Sequence, residues 1–200
     1  EVKTVSVTAS ANEVKESRSA EIIFTATDNP ALSVTVSVSQ EPYVDGLPGN
    51  AIASASDWKK FAALAGDASA SDSYTLSADI TIPAADFNPI ASFAGVLNGG
   101  GYTITIDGAE SDLNNVALIQ TLSGTVRNLA VAGSLKTSFD GSAQHYLASV
   151  AGIVNGGRVE NCSSSATLEL SSGSGTAYAV AGGIVADLQG DGATVSGCSY

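Results

Sequence analysis

Hydrophobic and polar residues alternate with period two through much of the chain. Val34, Val36 and Val38 alternate with Thr35, Ser37 and Ser39, and the same signature predicts strands over residues 2–8, 20–27 and 32–40. Asp28-Asn29-Pro30 supplies the turn between the last two. Three strands make one sheet with one apolar face, which has to be covered by a second sheet, a neighbouring domain or another molecule. Residues 42–51 carry Pro42, Gly46, Pro48 and Gly49 without periodicity, which is the composition of a linker. The chain therefore divides into a small antiparallel β segment (1–41), a linker (42–51) and a second domain (52–200).

The second domain opens on a change of period. Trp58, Phe61, Leu64 and Ala65 fall on one face of a short helix over 57–65, with Ser56 or Asp57 as its N-cap and Gly66 placed for a left-handed C-terminal residue. Trp58 belongs to the core rather than to a ligand platform. Strands resume at 74–77, 80–82, 94–97 and 102–106, with Asn98-Gly99-Gly100-Gly101 as a turn.

Three later segments can be superposed: Val116-Ala-Leu-Ile119 with Val126-Arg-Asn-Leu129, Val150-Ala-Gly-Ile153 with Val159-Glu-Asn-Cys162, and Val180-Ala-Gly-Gly-Ile184 with Val195-Ser-Gly-Cys198. The second elements, at 126, 159 and 195, lie 33 and 36 residues apart. Fixed strand motifs with uneven spacing are what a solenoid produces, because its coils stack through their strands and absorb insertions in loops. The Ser/Gly-rich stretches 136–144 and 171–177 are the expected loops. Asn128, Asn161 and Gly197 share a column, and Asn and Gly best tolerate positive φ, so the column reads as a left-handed bend. A bend reverses the alternation. Val126 and Leu129 then both point inward, as do Val159 with Cys162 and Val195 with Cys198, while Arg127, Glu160 and Ser196 face outward. The helix at 57–65 suits the N-terminal end as a cap. The chain stops at Tyr200 with nothing resembling a cap, so further coils or another chain are expected to stack on the open last coil.

Composition narrows the function. Eight Lys and Arg against 20 Asp and Glu give a net charge of −12, which disfavours nucleic acid and anionic membranes as partners. No apolar run approaches the ~20 residues of a membrane span. There is no Met, not even an initiator, so removal of the first residues by processing is expected. Cys162 and Cys198 are either a disulfide or two buried thiols. Stacked residues on adjacent parallel strands have side-chain vectors that run parallel rather than converge, which favours thiols. The single His, His145, falls in a polar stretch without a third partner, so neither a metal cluster nor a Cys nucleophile is indicated. No cofactor is called for.

The run Trp58-Lys-Lys-Phe61, Tyr74-Thr-Leu-Ser-Ala-Asp79-Ile80, Pro89-Ile90 and Phe93-Ala-Gly95-Val-Leu-Asn98-Gly-Gly-Gly-Tyr102-Thr-Ile104 resembles the lead-in of bacterial surface proteins with GLUG repeats. Val150-Ala-Gly-Ile-Val-Asn-Gly-Gly-Arg-Val-Glu-Asn161-Cys162 resembles the repeat itself. The first copy departs from it at Ala117 and Gln120, and the third has Gly197 for Asn. The resemblance spans about residues 52–200 and implies an all-β fold, a right-handed parallel β-helix like that of pectin lyases. Arg18-Ser-Ala-Glu-Ile-Ile-Phe-Thr25 and Val34-Thr-Val-Ser-Val38-Ser-Gln40 are similar to the last strands of BACON domains, immunoglobulin-like modules of gut-bacterial surface proteins. Both resemblances imply a protein that is either secreted or held at the outer cell surface, a lipid anchor on a removed N-terminus being one way of holding it there.

Two functions follow. One is a non-enzymatic module, adhesin-like or glycan-associated, whose partners are host or dietary glycans or a surface protein. The other is a polysaccharide lyase or glycoside hydrolase on the same scaffold, since fold alone does not choose between them. A lyase needs carboxylates for Ca²⁺ and a cationic base, whereas residues 52–200 hold only Lys59, Lys60, Arg127, Lys136 and Arg158 as cations. A hydrolase needs paired carboxylates on one face. Asp79, Asp86, Asp107, Asp187 and Asp191 are the candidates, and each sits beside turn residues, which makes a turn-forming role the simpler reading. The sequon Asn161-Cys162-Ser163 coincides with the bend and reads as structural. Tyr102 and Trp58 are expected to be packed. Tyr146 and Tyr178 are the candidate ligand-binding residues, with Tyr200 a further edge aromatic, and binding is expected on the loops at 136–148 and 171–178.

Overall fold

The computed structural model describes residues 18–26, 28–40, 47–141, 143–175 and 178–200, which form two compact units, 1–50 and 51–200. The strand expected at 2–8 and the first part of the expected linker lie outside the described residues. In the first unit, β1 (Arg18–Ala26) and β2 (Asn29–Gln40) form an antiparallel hairpin in which Ala20, Ile22 and Phe24 lie opposite Val38, Val36 and Val34. Opposed residues share a face, so these six make one apolar side. That side is largely exposed, with Val34 at 64%.

The second unit is mostly β with one α-helix. It begins with β3 (Ala51–Ile52) and α1 (Ala55–Leu64), followed by β4 (Ser73–Leu76), β5 (Ile80–Pro83) and β6 (Ile90–Phe93). The next round comprises β7 (Val96–Asn98), β8 (Thr103–Ser111), β9 (Asn115–Val116) and β10 (Ile119–Leu122). After it come β11 (Thr125–Arg127), β12 (Ala130–Gly141), β13 (His145–Ala148) and β14 (Ala151–Asn155). The last strands are β15 (Arg158–Glu160), β16 (Ser163–Ser164), β17 (Thr167–Gly175), β18 (Ala179–Gly182), β19 (Val185–Gln189) and β20 (Thr194–Ser196).

These strands sort into four parallel sheets, ordered β3-β4-β7-β11-β15-β20, β5-β8-β12-β16 with β17 also on β12, β9-β13-β18, and β6-β10-β14-β19. From β7 onward the chain visits the sheets in one fixed order and returns to pair with the round before. The second repeat elements superpose as expected: Val126, Val159 and Val195 are in register, as are Arg127, Glu160 and Ser196. Asn128, Asn161 and Gly197 follow with φ of 54°, 51° and 63°, the left-handed column that the residue types demand. Asn128 N–H donates to Glu160 O (3.0 Å) and Asn161 N–H to Ser196 O (2.9 Å), so each bend is tied to the next round by backbone. Val126, Leu129, Val159 and Cys162 are buried, and Arg127 and Ser196 are exposed with Glu160 half-buried between them. Val195 departs from the ladder at 37% exposed, because β20 carries a strand on one side only among the described residues.

The first repeat elements are corrected. Ile119 pairs with Ala151 and Ala151 with Val185, which shifts the expected alignment by two residues in the first step and four in the second. Matching letters misled there because Val, Ala, Gly and Ile recur on both sides of a bend at 117–118, 149–150 and 183–184. Two further corrections concern the Ser/Gly-rich stretches. Lys136–Gly141 continues β12 and Ser171–Gly175 continues β17, paired as Lys136 with Glu169 and Ser138 with Ser171. A neighbouring strand in register supplies the hydrogen bonds that local propensity does not predict. The strand expected at 94–97 is broken at Gly95 into β6 and β7.

Helix α1 starts two residues earlier than expected. Its N-cap is Ser54, whose Oγ accepts from Asp57 N–H (3.2 Å), while the Ser54 hydroxyl donates to Asp57 Oδ2 (2.8 Å). Gly66 does not terminate it in a left-handed conformation. The chain runs on through a 3-10 turn at Ala65–Asp67 that exposes Gly66. Trp58 and Phe61 are buried, and Phe61 packs against Trp58, Tyr74 and Phe93 with ring centroids 5.2, 4.7 and 5.5 Å away. Contrary to expectation Tyr102 is 38% exposed.

The bend column makes a quantitative prediction. An added Cβ at Gly197 meets only the Asn161 carboxamide and backbone nearby, and a carboxamide can swing aside. Gly197→Asn should therefore fold with near wild-type stability, while Gly197→Val should lose about 1–2 kcal/mol because a β-branched residue resists positive φ. Denaturant titration checks this, and equal stability of the two variants would remove the bend from the register.

Candidate functional site

The aspartates weighed for catalysis are dispersed. Asp79 Oδ1 accepts the Thr103 N–H (2.7 Å), which ties the turn before β5 to the start of β8. Asp86 pairs with Lys59 Nζ at 3.3 Å, in an exposed contact. Asp107 lies opposite Pro83 in register and is exposed, as is Asp191. Among the described residues no three His, Cys, Asp or Glu side chains gather as metal ligands. Asp187 alone of the five stands in a cluster of other functional groups.

That cluster is built by a bend repeated in three rounds. β9 to β10, β13 to β14 and β18 to β19 are each joined by two residues, whose inward members Leu118, Val150 and Ile184 are buried. In the first round the outer side of the bend is closed by a reciprocal pair. Asn115 Nδ2 donates to Gln120 O and Gln120 Nε2 donates to Asn115 O, both at 2.8 Å. In the second round Tyr146 is the register partner of Asn115, and Gly152 that of Gln120. A Cβ at Gly152 would overlap the Asn115 carboxamide, so glycine is required there to seat the amide pair. In the third round the partners are Val180 and Ala186, and the polar and aromatic side chains near them are Tyr178, two residues before Val180, and Asp187 and Gln189, after Ala186.

Gln189 Nε2 donates to Asp187 Oδ2 at 2.8 Å, and Tyr178 O accepts the His145 N–H at 3.3 Å, which places Tyr178 beside the strand that carries Tyr146. Tyr178 is 66% exposed, Tyr146 and Asp187 are half-buried, and Gln189 is exposed. Burial first, then the negative Asp187 and the neighbouring Tyr178, push the Tyr146 phenol above its ordinary range, while a hydrogen bond with Gln189 works the other way. The backbone of Tyr178 therefore lies beside the strand that carries Tyr146, the other tyrosine singled out in the sequence, and Asp187, considered there for other chemistry, and Gln189 stand close enough to act on the Tyr146 phenol. The sequence holds no local signal for this pairing, since residues 146 and 187 are joined only through the register of three strands. Tyr146 is on β13 rather than in a loop, and Tyr178 immediately precedes β18.

His145, expected in a polar stretch, is buried at the start of β13, with Nδ1 3.0 Å from Ala143 O. The cysteines form a ladder of unbonded thiols. Cys162 Sγ donates to Glu160 O (3.3 Å) and toward Val126 O (3.8 Å), and Cys198 Sγ repeats the pattern toward Ser196 O (3.3 Å) and Val159 O (3.7 Å). Cys162 N–H donates to Cys198 Sγ at 3.4 Å. Burial pushes the Cys162 thiol up to about 11, which removes it as a nucleophile at neutral pH. Elsewhere, a cleft of about 480 Å³ lies between Phe87, Asn88 and Pro89 and the outer ends of β8 and β12 at Glu110, Ser111 and Ser138.

Compared with family models, with curated proteins and with solved structures, the chain matches none.

Two outcomes follow from the geometry. Asp187→Asn should move the ionisation of Tyr146 back toward the ordinary tyrosine range, read by NMR titration of its ring signals; an unmoved titration would separate the carboxylate from the cluster. Native protein treated with an alkylating agent at about pH 8 should react at half-buried Cys198 ahead of Cys162, and denaturation without reductant should release two alkylatable thiols. A mass two protons lighter that takes up no label would show a disulfide instead.

Proposed function

We propose that residues 52–200 form a right-handed parallel β-helix, preceded by a BACON-like segment, and that the chain is a non-enzymatic module of a secreted or outer-surface protein, adhesin-like or glycan-associated. The coil is supported by the fixed order in which strands visit four parallel sheets, and its hand by the strong preference of parallel crossovers for the right-handed sense. A stacked coil with polar outer columns is a rigid display surface, and stability of the stack does not depend on what those columns are. The observation that carries the binding reading is the exposed Tyr178 and the half-buried Tyr146 beside the hydrogen-bonded Asp187 and Gln189, while Asp79 accepts a backbone N–H and Asp86 pairs with Lys59.

Purified chain incubated with neutral and uronic-acid polysaccharides from about pH 5 to pH 9, with and without Ca²⁺, should release no new reducing ends or unsaturated products. Affinity electrophoresis in gels containing the same polysaccharides should retard it. Turnover abolished by Asp79→Asn, Asp86→Asn or Asp107→Asn would replace this reading with a hydrolase or lyase on the same scaffold.

A further inference from the structure

We infer that the outer side of the β13–β14 and β18–β19 bend binds an uncharged glycan, with Tyr178 and Tyr146 as ring platforms and the Asp187–Gln189 pair as the reader of sugar hydroxyls. The inference rests on the glycan-associated reading above and assigns its site and ligand class.

Three features of the bend converge on that chemistry. A largely exposed tyrosine ring offers an apolar face and a polar tip, which suits a ligand with a C–H face and hydroxyl edges. Asp187 Oδ2 is engaged by Gln189, and Oδ1 accepts no hydrogen bond among the described residues, so one lone-pair-rich oxygen is held in a fixed direction without a partner. Gln189 offers a carbonyl acceptor beside it. A ligand that meets both acceptors must donate from two adjacent atoms, as vicinal hydroxyls do.

Charge selects among the ligands that carry hydroxyls. A uronate carboxylate placed at this site would face Asp187 on a chain of net charge −12, and among the described residues the ion pairs of the cations Lys59, Lys60 and Lys136 are made elsewhere, with Asp86, Asp57 and Glu169. A phosphodiester backbone meets the same repulsion. A single carboxylate is too few ligands for a divalent ion. The uncharged glycan is the class that the donors, acceptors and ring faces all accept.

The test uses the whole 200-residue chain and isothermal titration with cellohexaose, mannohexaose and hexagalacturonate. At least one neutral hexasaccharide should bind more tightly than hexagalacturonate. Tyr178→Ala and Asp187→Ala should each weaken that binding roughly tenfold, as expected for loss of one stacking ring or one charge-assisted hydrogen bond. Tyr102→Ala, which removes an exposed tyrosine remote in register from this bend, should leave it unchanged, and unfolding curves of all variants confirm that each is folded. Neutral binding that survives both Tyr178→Ala and Asp187→Ala overturns the site while leaving the glycan-associated reading intact. Preference for hexagalacturonate overturns the ligand class, and absence of binding to all three probes together with unretarded migration in every polysaccharide gel overturns both.

Discussion

Burial in the second unit depends on parallel backbone hydrogen bonding that sets each round of strands in register on the one before. Val126 and Val159 are fully buried because strands flank them on both sides, whereas Val195, the same residue type in the same register column, is 37% exposed. The difference is worth about 0.5–1 kcal/mol for a valine side chain. An inward ladder is therefore a property of the stack and not of any strand within it. The edge that begins the stack is treated differently: α1 packs on β3 and β5 and buries Trp58 and Phe61 against Tyr74 and Phe93.

The bends convert that stack into a surface with chemistry. At the Asn128, Asn161 and Gly197 column, positive φ turns two short strands through a corner and keeps two residues three apart on the inside. At the bend after β9, β13 and β18, inward Leu118, Val150 and Ile184 draw the backbone in, so side chains just before and just after the bend approach one another on the outside. The first round fills that space with an amide pair that needs Gly152 above it, and the next two fill it with Tyr146, Tyr178, Asp187 and Gln189. Position along the stack, in steps of about 4.8 Å, thus separates the chemistry of the rows.

The aspartates illustrate how the same residue type divides by register. Asp79 accepts the backbone N–H of Thr103 and Asp86 pairs with the ammonium of Lys59 on α1, so both are engaged in contacts to distant parts of the sequence. Asp187 has equally ordinary neighbours in sequence, yet it sits on β19 opposite Ile153 of β14, the strand that follows β13 and its Tyr146. What distinguishes it is the strand alongside.

The amino-acid sequence by itself determined the period-two strands, the helix that buries Trp58 and Phe61, the left-handed column and the inward and outward assignment around it, because each is decided by residue type over a few neighbouring positions. It also singled out Tyr178 as an exposed aromatic, whereas Tyr146 is half-buried on β13. Only the tertiary structure decided that Lys136–Gly141 and Ser171–Gly175 are paired strands, that Ser54 rather than Ser56 or Asp57 caps α1, and that Ile119 stacks on Ala151. Hydrogen bonds from a neighbouring strand override weak local propensity, and the register of a low-complexity Val-Ala-Gly-Ile phrase is set by the bend it spans. The approach of Asp187 and Gln189 to Tyr146 belongs to the same class, since residues 41 and 43 positions apart become neighbours only when each round is laid on the one before.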